Sequence, residues 1–283
     1  MFADFMMNTW IVATMVAIVA GFIGFFVVIR RSAFAAHVLP LGAFPGAAAA
    51  NLLGMNEILG LVVFSGLGAV AISQLGRRDR HEVGTALSLV TLLALGALFL
   101  SMTREYSQGV YALLFGEVLG ISTRQILPVA ILSVIAVATT GLLFRPLLLD
   151  SISPDIGAAR GVSSRLMEPL FLAVLALCTA ISVPVVGALL VFSLMVGPAS
   201  AARSLADRPL AAVLSSVCIS VVTVWVAIAL SYLSNWPVGF FVGAIGVVSY
   251  VSGRMYTRCG RTVIDGLGAG GGAAAPSPCS RAH

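Results

Sequence analysis

Apolar residues occur along this chain in long runs that are separated by short polar segments. Each run is about 18 residues or longer, the length that a helix needs to cross a hydrocarbon core roughly 30 Å thick. The pattern predicts nine membrane spans, with eight or ten also compatible with it. They lie at residues 9–29, 34–53, 57–76, 82–102, 125–146, 166–183, 185–202, 210–232 and 238–256.

The composition indicates the same class of protein. Hydrophobic residues make up 59% of the 283 residues and charged residues only 10%, which is outside the range of a soluble domain. The short alternating segments of a transmembrane barrel do not occur in the sequence. The predicted fold is therefore all-α, a polytopic transmembrane helical bundle of about eight to nine spans. It occupies residues 1–257, and the Gly/Ala/Pro-rich residues 258–283 are predicted to form a disordered cytoplasmic tail.

The positions of the arginines predict the orientation of the bundle. All sixteen basic residues are arginine, and they mark the ends of spans instead of forming the basic face of a nucleic-acid-binding protein. One side of the predicted membrane carries Arg30, Arg31, Arg77, Arg78, Arg80, Arg145, Arg160, Arg165, Arg203, Arg208, Arg254, Arg258 and Arg261. Only Arg104 and Arg124 fall on the other side. By the positive-inside rule the N-terminus lies outside and the C-terminus lies in the cytoplasm, and no nucleic acid is expected as a partner.

The loop "DSISPDIGAARGVSSR" after the fifth span predicts a short cytoplasmic helix. Ser153 is suited to the N-cap, Pro154 to the first helical position and Asp155 to the first turn, where the helix dipole favours an anion. Gly161 is suited to end the helix, and small residues such as Ala158 would let it enter a cleft on another protein. A solvated connector with good capping residues is the alternative interpretation.

Prolines and glycines interrupt the apolar sequence of two further stretches, "FPGAAAANLLG" and "VPVVGALLVFSLMVGPASAAR". The positions are Pro45, Gly46, Pro184, Gly197 and Pro198. Proline lacks a backbone N–H and frees a carbonyl group, which is tolerated when a neighbouring helix or a water-lined cavity satisfies it. These positions therefore predict helix breaks that line a pore. Prolines are also common in membrane helices without a special role, and that interpretation stays open.

Two ionisable residues are candidates for transient contact with a cation. His37 lies in the second span, and Glu117 lies in the outer segment "REYSQGVYALLFGEVLGISTRQ", which is too short and too polar to cross the membrane fully. A carboxylate is costly in lipid and should face water or a partner. A histidine bonded to a carbonyl group and an exposed loop acid are the alternatives. Three histidines in all are too few for a tight zinc site, so no bound cofactor is expected.

Four stretches in a fixed order carry a resemblance to a known family. They are "FPGAAAANLLG" (Phe44–Gly54), "LLFGEVLGIS" (Leu113–Ser122), "SPDIGAARGV" (Ser153–Val162) and "VGALLVFSLMVGPASAAR" (Val186–Arg203). The chain resembles the integral-membrane permease subunits of ATP-binding-cassette (ABC) importers for divalent metal ions, the zinc and manganese uptake type. The likeness covers nearly the whole length, from the first span to about Tyr256.

This resemblance implies an importer-type permease fold, a dimeric pore with a second copy or a paralogue, cytoplasmic ATP-binding subunits and an extracytoplasmic metal-binding protein. It also implies that the loop helix couples the permease to the ATPase, through Ser153, Pro154, Asp155, Ala158, Arg160 and Gly161. The chain has no lysine, which a phosphate-binding P-loop requires, so ATP is expected to be hydrolysed on the partner and not by this chain. The implied substrate is zinc, manganese or ferrous iron.

One departure from the family concerns the histidine. Permeases of this type carry a Ser-His pair shortly before the Leu-Pro-Gly that corresponds here to Phe44-Pro45-Gly46, and Leu41 stands in the place of that histidine. His37 lies four residues earlier, about one helical turn or roughly 6 Å along the axis. It would therefore lie on the same face at a different depth.

Other functions remain as alternatives. A permease for iron chelates or cobalamin shares the broad helical plan. An ion-coupled secondary carrier would need carboxylates in the middle of spans, but Glu57, Glu82 and Glu168 fall at span ends. An intramembrane metalloprotease would need an HExxH motif on a span, and the sequence contains none.

Overall fold

A computed structural model of the protein describes residues 4–75, 81–102, 114, 123–206, 208–234 and 236–269, and every regular element within these ranges is an α-helix. The helices are α1 (Asp4–Ile29), α2 (Ala33–Leu53), α3 (Glu57–Leu75), α4 (His81–Ser101), α5 (Thr123–Leu142), α6 (Phe144–Ile152), α7 (Pro154–Ala159), α8 (Ser164–Val186), α9 (Ala188–Leu205), α10 (Pro209–Ser234) and α11 (Val238–Ala269). The predicted all-α bundle is confirmed.

The number of spans is consistent with the apolar pattern. In the described part of the chain, seven helices are long and apolar enough to cross a membrane, namely α1, α2, α3, α5, α8, α10 and α11. The shorter apolar segments Val83–Phe99 in α4 and Leu190–Leu205 in α9 correspond to the two remaining predicted spans. The main difference lies at the fifth span, where α5 ends at Leu142 and the separate helix α6 begins at Phe144.

The last helix continues beyond the boundary predicted for the membrane domain. Helix α11 runs to Ala269, so residues 258–269, which were assigned to a disordered tail, have a helical backbone. Extending an existing helix avoids the cost of nucleation, and the sequence has no proline between Pro237 and Pro276 to stop it. Residues 270–283 lie outside the described residues, and the division into two regions stays a prediction.

Helices α1, α2 and α8 form the interior of the bundle. Helix α1 packs against α8, α9 and α10, and α2 packs against α3, α4 and α9. Val16, Phe26, Leu39 and Leu175 are fully buried members of this core. Helices α5 and α11 lie at the periphery and expose much of their apolar surface, as expected for helices that face lipid.

Glycines allow several of these helices to approach each other closely. Gly46 of α2 and Gly60 of α3 face each other, and a β-carbon on either one would collide with the carbonyl oxygen of the other. Gly24 of α1 is pressed in the same way against the backbone of Met195 in α9. Lipid offers little hydrophobic driving force between helices, so close contact of small residues supplies much of the packing energy. The relative positions of α1, α2, α3 and α9 are therefore tightly constrained.

A single glycine separates α8 from α9. Gly187 has φ 89° and ψ 146°, a backbone conformation that is essentially restricted to glycine. Glu168, near the start of α8, and Arg203, near the end of α9, line the same cavity. The chain therefore crosses the bundle in α8, reverses at Gly187 and returns in α9, which agrees with the two adjacent spans predicted there.

Candidate functional site

The short helix predicted in the loop after the fifth span is present as α7. The N–H of Gly161 donates to the carbonyl of Ala158 (3.0 Å), and the N–H of Val162 donates to the carbonyl of Gly157 (2.9 Å). Together with φ 80° at Gly161 these bonds form a Schellman motif, the common glycine-dependent end of a helix. The prediction that Gly161 ends the helix is confirmed.

The start of α7 differs in one detail from the expectation. Ser153 occupies the N-cap position, Pro154 and Asp155 lie in the first turn, and the Ser153 carbonyl accepts the first helical bond from Gly157. The Ser153 hydroxyl, however, makes no capping hydrogen bond to a described residue. Pro154 has no N–H to be capped, which leaves fewer free donors in this first turn. The position of the cap was predicted correctly, and the side-chain bond was not.

Helix α7 is exposed at every residue except Gly157. Its exposed residues include Ile156, and two more exposed apolar side chains, Ile152 and Leu166, lie on either side of the helix in the sequence. We call these three residues the loop surface. Ile152 and Ile156 lie outside the membrane-spanning helices, where exposed apolar side chains are suited to contact with another protein. The small residues of this loop predicted a contact in the sequence, and an isoleucine within a polar loop was a further signal for it.

A buried ion pair attaches the loop to the end of α1. Arg30 Nη1 donates to Asp150 Oδ2 at 2.7 Å, and the side chains of the two residues are only 12% and 5% exposed. Ser164 donates its hydroxyl to Asp150 Oδ1. The Arg30 guanidinium carbon lies 5.2 Å from the centroid of the Phe171 ring. The charge of each ion is thus compensated, as a buried pair requires. In the sequence, Arg30 is only a marker of orientation, and nothing near Asp150 indicates a special role for it.

The helix ends around this ion pair line a cavity of about 1010 Å³ that opens to the surface. Arg30, Arg31 and Arg203 line it together with the acidic residues Asp150 and Glu168. These residues come from the turn after α1 and from α6, α8 and α9, near loops that the distribution of arginine assigned to one side of the membrane. The fold therefore brings those loops to the same end of the bundle.

Helices α2, α8 and α9 continue through the positions at which breaks were predicted. Those positions are Pro45, Gly46, Pro184, Gly197 and Pro198. The predicted breaks are thus corrected: a proline removes one backbone hydrogen bond, and close packing by neighbouring helices keeps the rest of the helix intact. Pro45 and Gly46 are buried where α2 contacts α3 and α4. The interruption in this part of the fold lies at Gly187 instead.

Of the two ionisable candidates, only His37 lies among the residues that the structure describes. The half-buried ring of His37 meets the edge of Phe192 in α9, with ring centroids 5.2 Å apart. Glu117 lies outside the residues that the structure describes. Among the side chains that are described, no group of three or more His, Cys, Asp or Glu residues is placed to hold a metal ion.

Within the described residues, seven helices of membrane-spanning length and two shorter apolar helices form a membrane bundle with an exposed, well-terminated loop helix. Residues 2–257 match the ABC 3 transport family, so the chain belongs to this family. The manganese transport system membrane protein MntC of Listeria monocytogenes is 25% identical over 238 residues, covering 83% of this chain and 85% of the relative. The high-affinity zinc uptake system membrane protein ZnuB of Haemophilus influenzae is 28% identical over 189 residues, covering 66% and 72%.

A solved structure shares the fold. PsaBC from Streptococcus pneumoniae in complex with Fab superimposes with a TM-score of 0.81 at 20% identity, covering 89% of this chain and 91% of the matched chain. At this level of identity the match supports the fold. The resemblance to importer permeases, inferred from four short stretches, is confirmed by the family match.

Proposed function

We propose that this protein is the permease subunit of an ABC importer that moves a divalent metal ion, manganese or zinc, into the cytoplasm. The observation that carries the proposal is the match of the whole helical bundle, residues 2–257, to the ABC 3 transport family. Relatives of this chain are named for manganese transport and for zinc uptake. ATP would be hydrolysed on a separate cytoplasmic subunit, and an extracytoplasmic binding protein would deliver the metal.

Helix α7 is the proposed contact with the ATP-binding subunit. The contact would use Ser153, Pro154, Asp155, Ala158, Arg160 and Gly161, with Ile156 as an added apolar anchor. The exposed isoleucine supports this role because a side chain that is buried on association commonly supplies much of the binding energy. The Schellman motif at Gly161 holds the helix in one conformation and lowers the entropy lost on docking.

The metal is proposed to pass along a route that holds it weakly. Conduction requires sites that bind strongly enough to admit an ion and weakly enough to release it. His37 and Glu117 are proposed as transient contacts, and the backbone near Pro45, Pro184 and Pro198 as a further source of carbonyl ligands. Each of these prolines leaves one carbonyl in the preceding helical turn without its usual N–H partner. Pairing with a second permease, identical or paralogous, would complete the pore.

The end of the bundle that carries the arginine-lined cavity is proposed to face the cytoplasm. Segments with arginine or acidic residues meet there, and an excess of arginine is typical of cytoplasmic loops. The N-terminus of α1 would then lie outside the cell, and the chain after α11 inside. In this orientation α7 is on the side where ATP is hydrolysed.

The direct test is transport in reconstituted vesicles. The permease is reconstituted with its cognate ATP-binding subunit, a manganese-loaded binding protein is placed on the extracytoplasmic side, and ATP is supplied on the side of α7. We expect manganese uptake that needs all three components and ATP. Zinc and ferrous iron in parallel assays rank the ions. Equal uptake by the permease alone, or uptake of an iron chelate in preference to all free ions, would contradict the proposal.

The docking role of α7 has a test of its own. The variant Ile156→Ser should retain insertion in the membrane but lose co-purification with the ATP-binding subunit, because it removes an apolar side chain from the loop surface. Leu210→Ser is the matched control, since Leu210 is an exposed leucine at the start of α10, at the same end of the bundle. Normal co-purification of the Ile156 variant would exclude this residue from the contact.

A further inference from the structure

Asp150 is placed where the chain enters the loop that carries α7. Ser164, where the chain leaves this loop, lies 14 positions later and donates its hydroxyl to Oδ1 of the same carboxylate. The other carboxylate oxygen, Oδ2, accepts from Arg30 at the end of α1. One carboxylate therefore closes the loop at its base and binds the closed loop to a third segment of the chain. We call Arg30, Asp150 and Ser164 the clamp.

Helix α7 rests directly on the clamp. Gly157 is the one buried residue within Pro154–Ala159, and a β-carbon at this position would lie 3.8 Å from the α-carbon of Asp150. The backbone of α7 is thus in van der Waals reach of the residue that holds the loop. A force applied to α7 from the cytoplasm reaches Asp150 without passing through a flexible segment.

On the other side, the clamp reaches the interior helices. Arg30 follows α1 directly, and α2 begins three positions later at Ala33, after a turn in which Arg31 has φ 56°. Helix α1 is pressed against α9 at Gly24, and α2 touches α9 through His37 and Phe192. The guanidinium of Arg30 is itself held against the ring of Phe171 in α8. Displacement of Arg30 would therefore move the turn between α1 and α2, and these helices contact α9 closely.

We propose that the clamp is the positioning unit that transmits movement of α7 to the interior helices, with Asp150 as its central residue. The inference rests on the proposed function, in which α7 docks on an ATP-binding subunit. A buried, fully compensated ion pair suits this role because its partners cannot separate without leaving an unpaired charge in a protected site. Coupling between two sites needs a chain of packed or bonded residues that joins them, and the clamp supplies this chain between α7 and the end of α1.

The test compares transport with ATP hydrolysis in the assembled transporter. In Asp150→Asn the amide keeps the shape of the side chain but loses the charge that holds Arg30. We expect the ATP-binding subunit to co-purify and to hydrolyse ATP as before, while the amount of manganese imported per ATP falls about tenfold, within the usual range of coupling effects. The matched control is Glu57→Gln. Glu57 is a carboxylate at the start of α3, next to the end of α2 that lies away from the clamp, and its substitution should leave this ratio unchanged.

Two further variants keep the inference open to refutation if Asp150→Asn does not accumulate in the membrane. Ser164→Ala removes one hydrogen bond and retains the ion pair, so we expect a smaller fall in manganese imported per ATP. The double variant Arg30→Gln, Asp150→Asn replaces the ions by an uncharged pair, and we expect it to be better coupled than Asp150→Asn alone.

The possible outcomes separate the inference from the proposed function. An unchanged ratio of manganese to ATP in Ser164→Ala, and in Asp150→Asn where that variant folds, would overturn the inference. Equal losses of co-purification, ATP hydrolysis and uptake would also overturn it, because the clamp would then only support the structure of the docking site. An absence of ATP-driven uptake by the unaltered transporter would instead overturn the proposed function.

Discussion

The ring of His37 illustrates how one residue can have two roles that must be separated. It makes a T-shaped contact with the ring of Phe192, and this contact would stabilise the bundle even if the ring nitrogens did nothing. The residue is only half-buried, and the proposed contact with a passing ion would be made by a ring nitrogen. A substitution that removes the whole ring cannot distinguish these two contributions.

We therefore expect different results from two substitutions at this position. His37→Phe retains an aromatic ring against Phe192 and removes both nitrogens, so it should keep the thermal stability of the purified permease. If the nitrogen lowers the barrier to passage by about 1.4 kcal/mol, uptake of manganese should slow about tenfold. His37→Ala should lower both thermal stability and uptake. Uptake by His37→Phe at the unaltered rate would remove His37 from the proposed route.

Arg30 and Asp150, in contrast to His37, are two residues that share one role. They are 120 positions apart, and nothing in the local pattern of either residue indicates the other. Arg30 fits the distribution of arginines at span ends, and Asp150 fits a polar loop. Only their burial and their 2.7 Å contact distinguish them from exposed charges. The sequence therefore predicted that both lie on the same side of the membrane, but not that they pair with each other.

At the scale of helices, apolar periodicity was sufficient to place the spans. The limits of α2, α3 and α4 agree with the predicted spans within one residue, because polar and charged segments bound these apolar runs sharply. Gly161 was also predicted as a helix end, since a glycine after a short capped segment has a local cause. The prediction of helix breaks at the prolines was wrong, because neighbouring helices decide whether a helix continues through a proline.

The reversal at Gly187 gives a prediction at this scale. Gly187→Ala forces a side chain into a backbone conformation with φ 89° and ψ 146°, which costs of the order of 1–3 kcal/mol. We expect a lower thermal unfolding temperature of the detergent-purified protein. The control Gly141→Ala lies in α5, where a β-carbon meets no neighbouring atom, and should leave stability unchanged or slightly higher. Equal stability of the two variants would contradict the assigned role of Gly187.

At the scale of the whole molecule, the segments that carry Arg30, Arg31 and Arg203 meet at one end of the bundle. The cavity there combines Arg30, Arg31 and Arg203 with two acidic residues, so the charges are partly balanced within the fold. At the other end of the bundle, an exposed turn that includes Met55 joins the end of α2 to the start of α3. The length of α2 separates the cavity from this turn, and its 21 residues span roughly 30 Å at about 1.5 Å per residue.

Accessibility to a reagent that cannot cross membranes tests the proposed orientation. In a protein without its native cysteines, Met55→Cys should react with such a reagent added to intact cells, whereas Ala158→Cys should react only after the membrane is opened. Both positions are exposed, so exposure alone does not explain a difference. The reverse pattern would place α7 outside the cell and would contradict the orientation and the docking role together.

The sequence by itself determined the class of protein and the limits of most helices, and it predicted the side of the membrane that the arginines face. These properties follow from hydrophobicity and charge, which act on each segment separately in a membrane. Only the tertiary structure decided which residues meet. The contact between Gly46 and Gly60, the turn geometry of Gly187 and the clamp of Arg30, Asp150 and Ser164 depend on segments that are distant in the chain or on the direction of the next helix. Their physical cause is close packing, which a one-dimensional pattern of residue types does not contain.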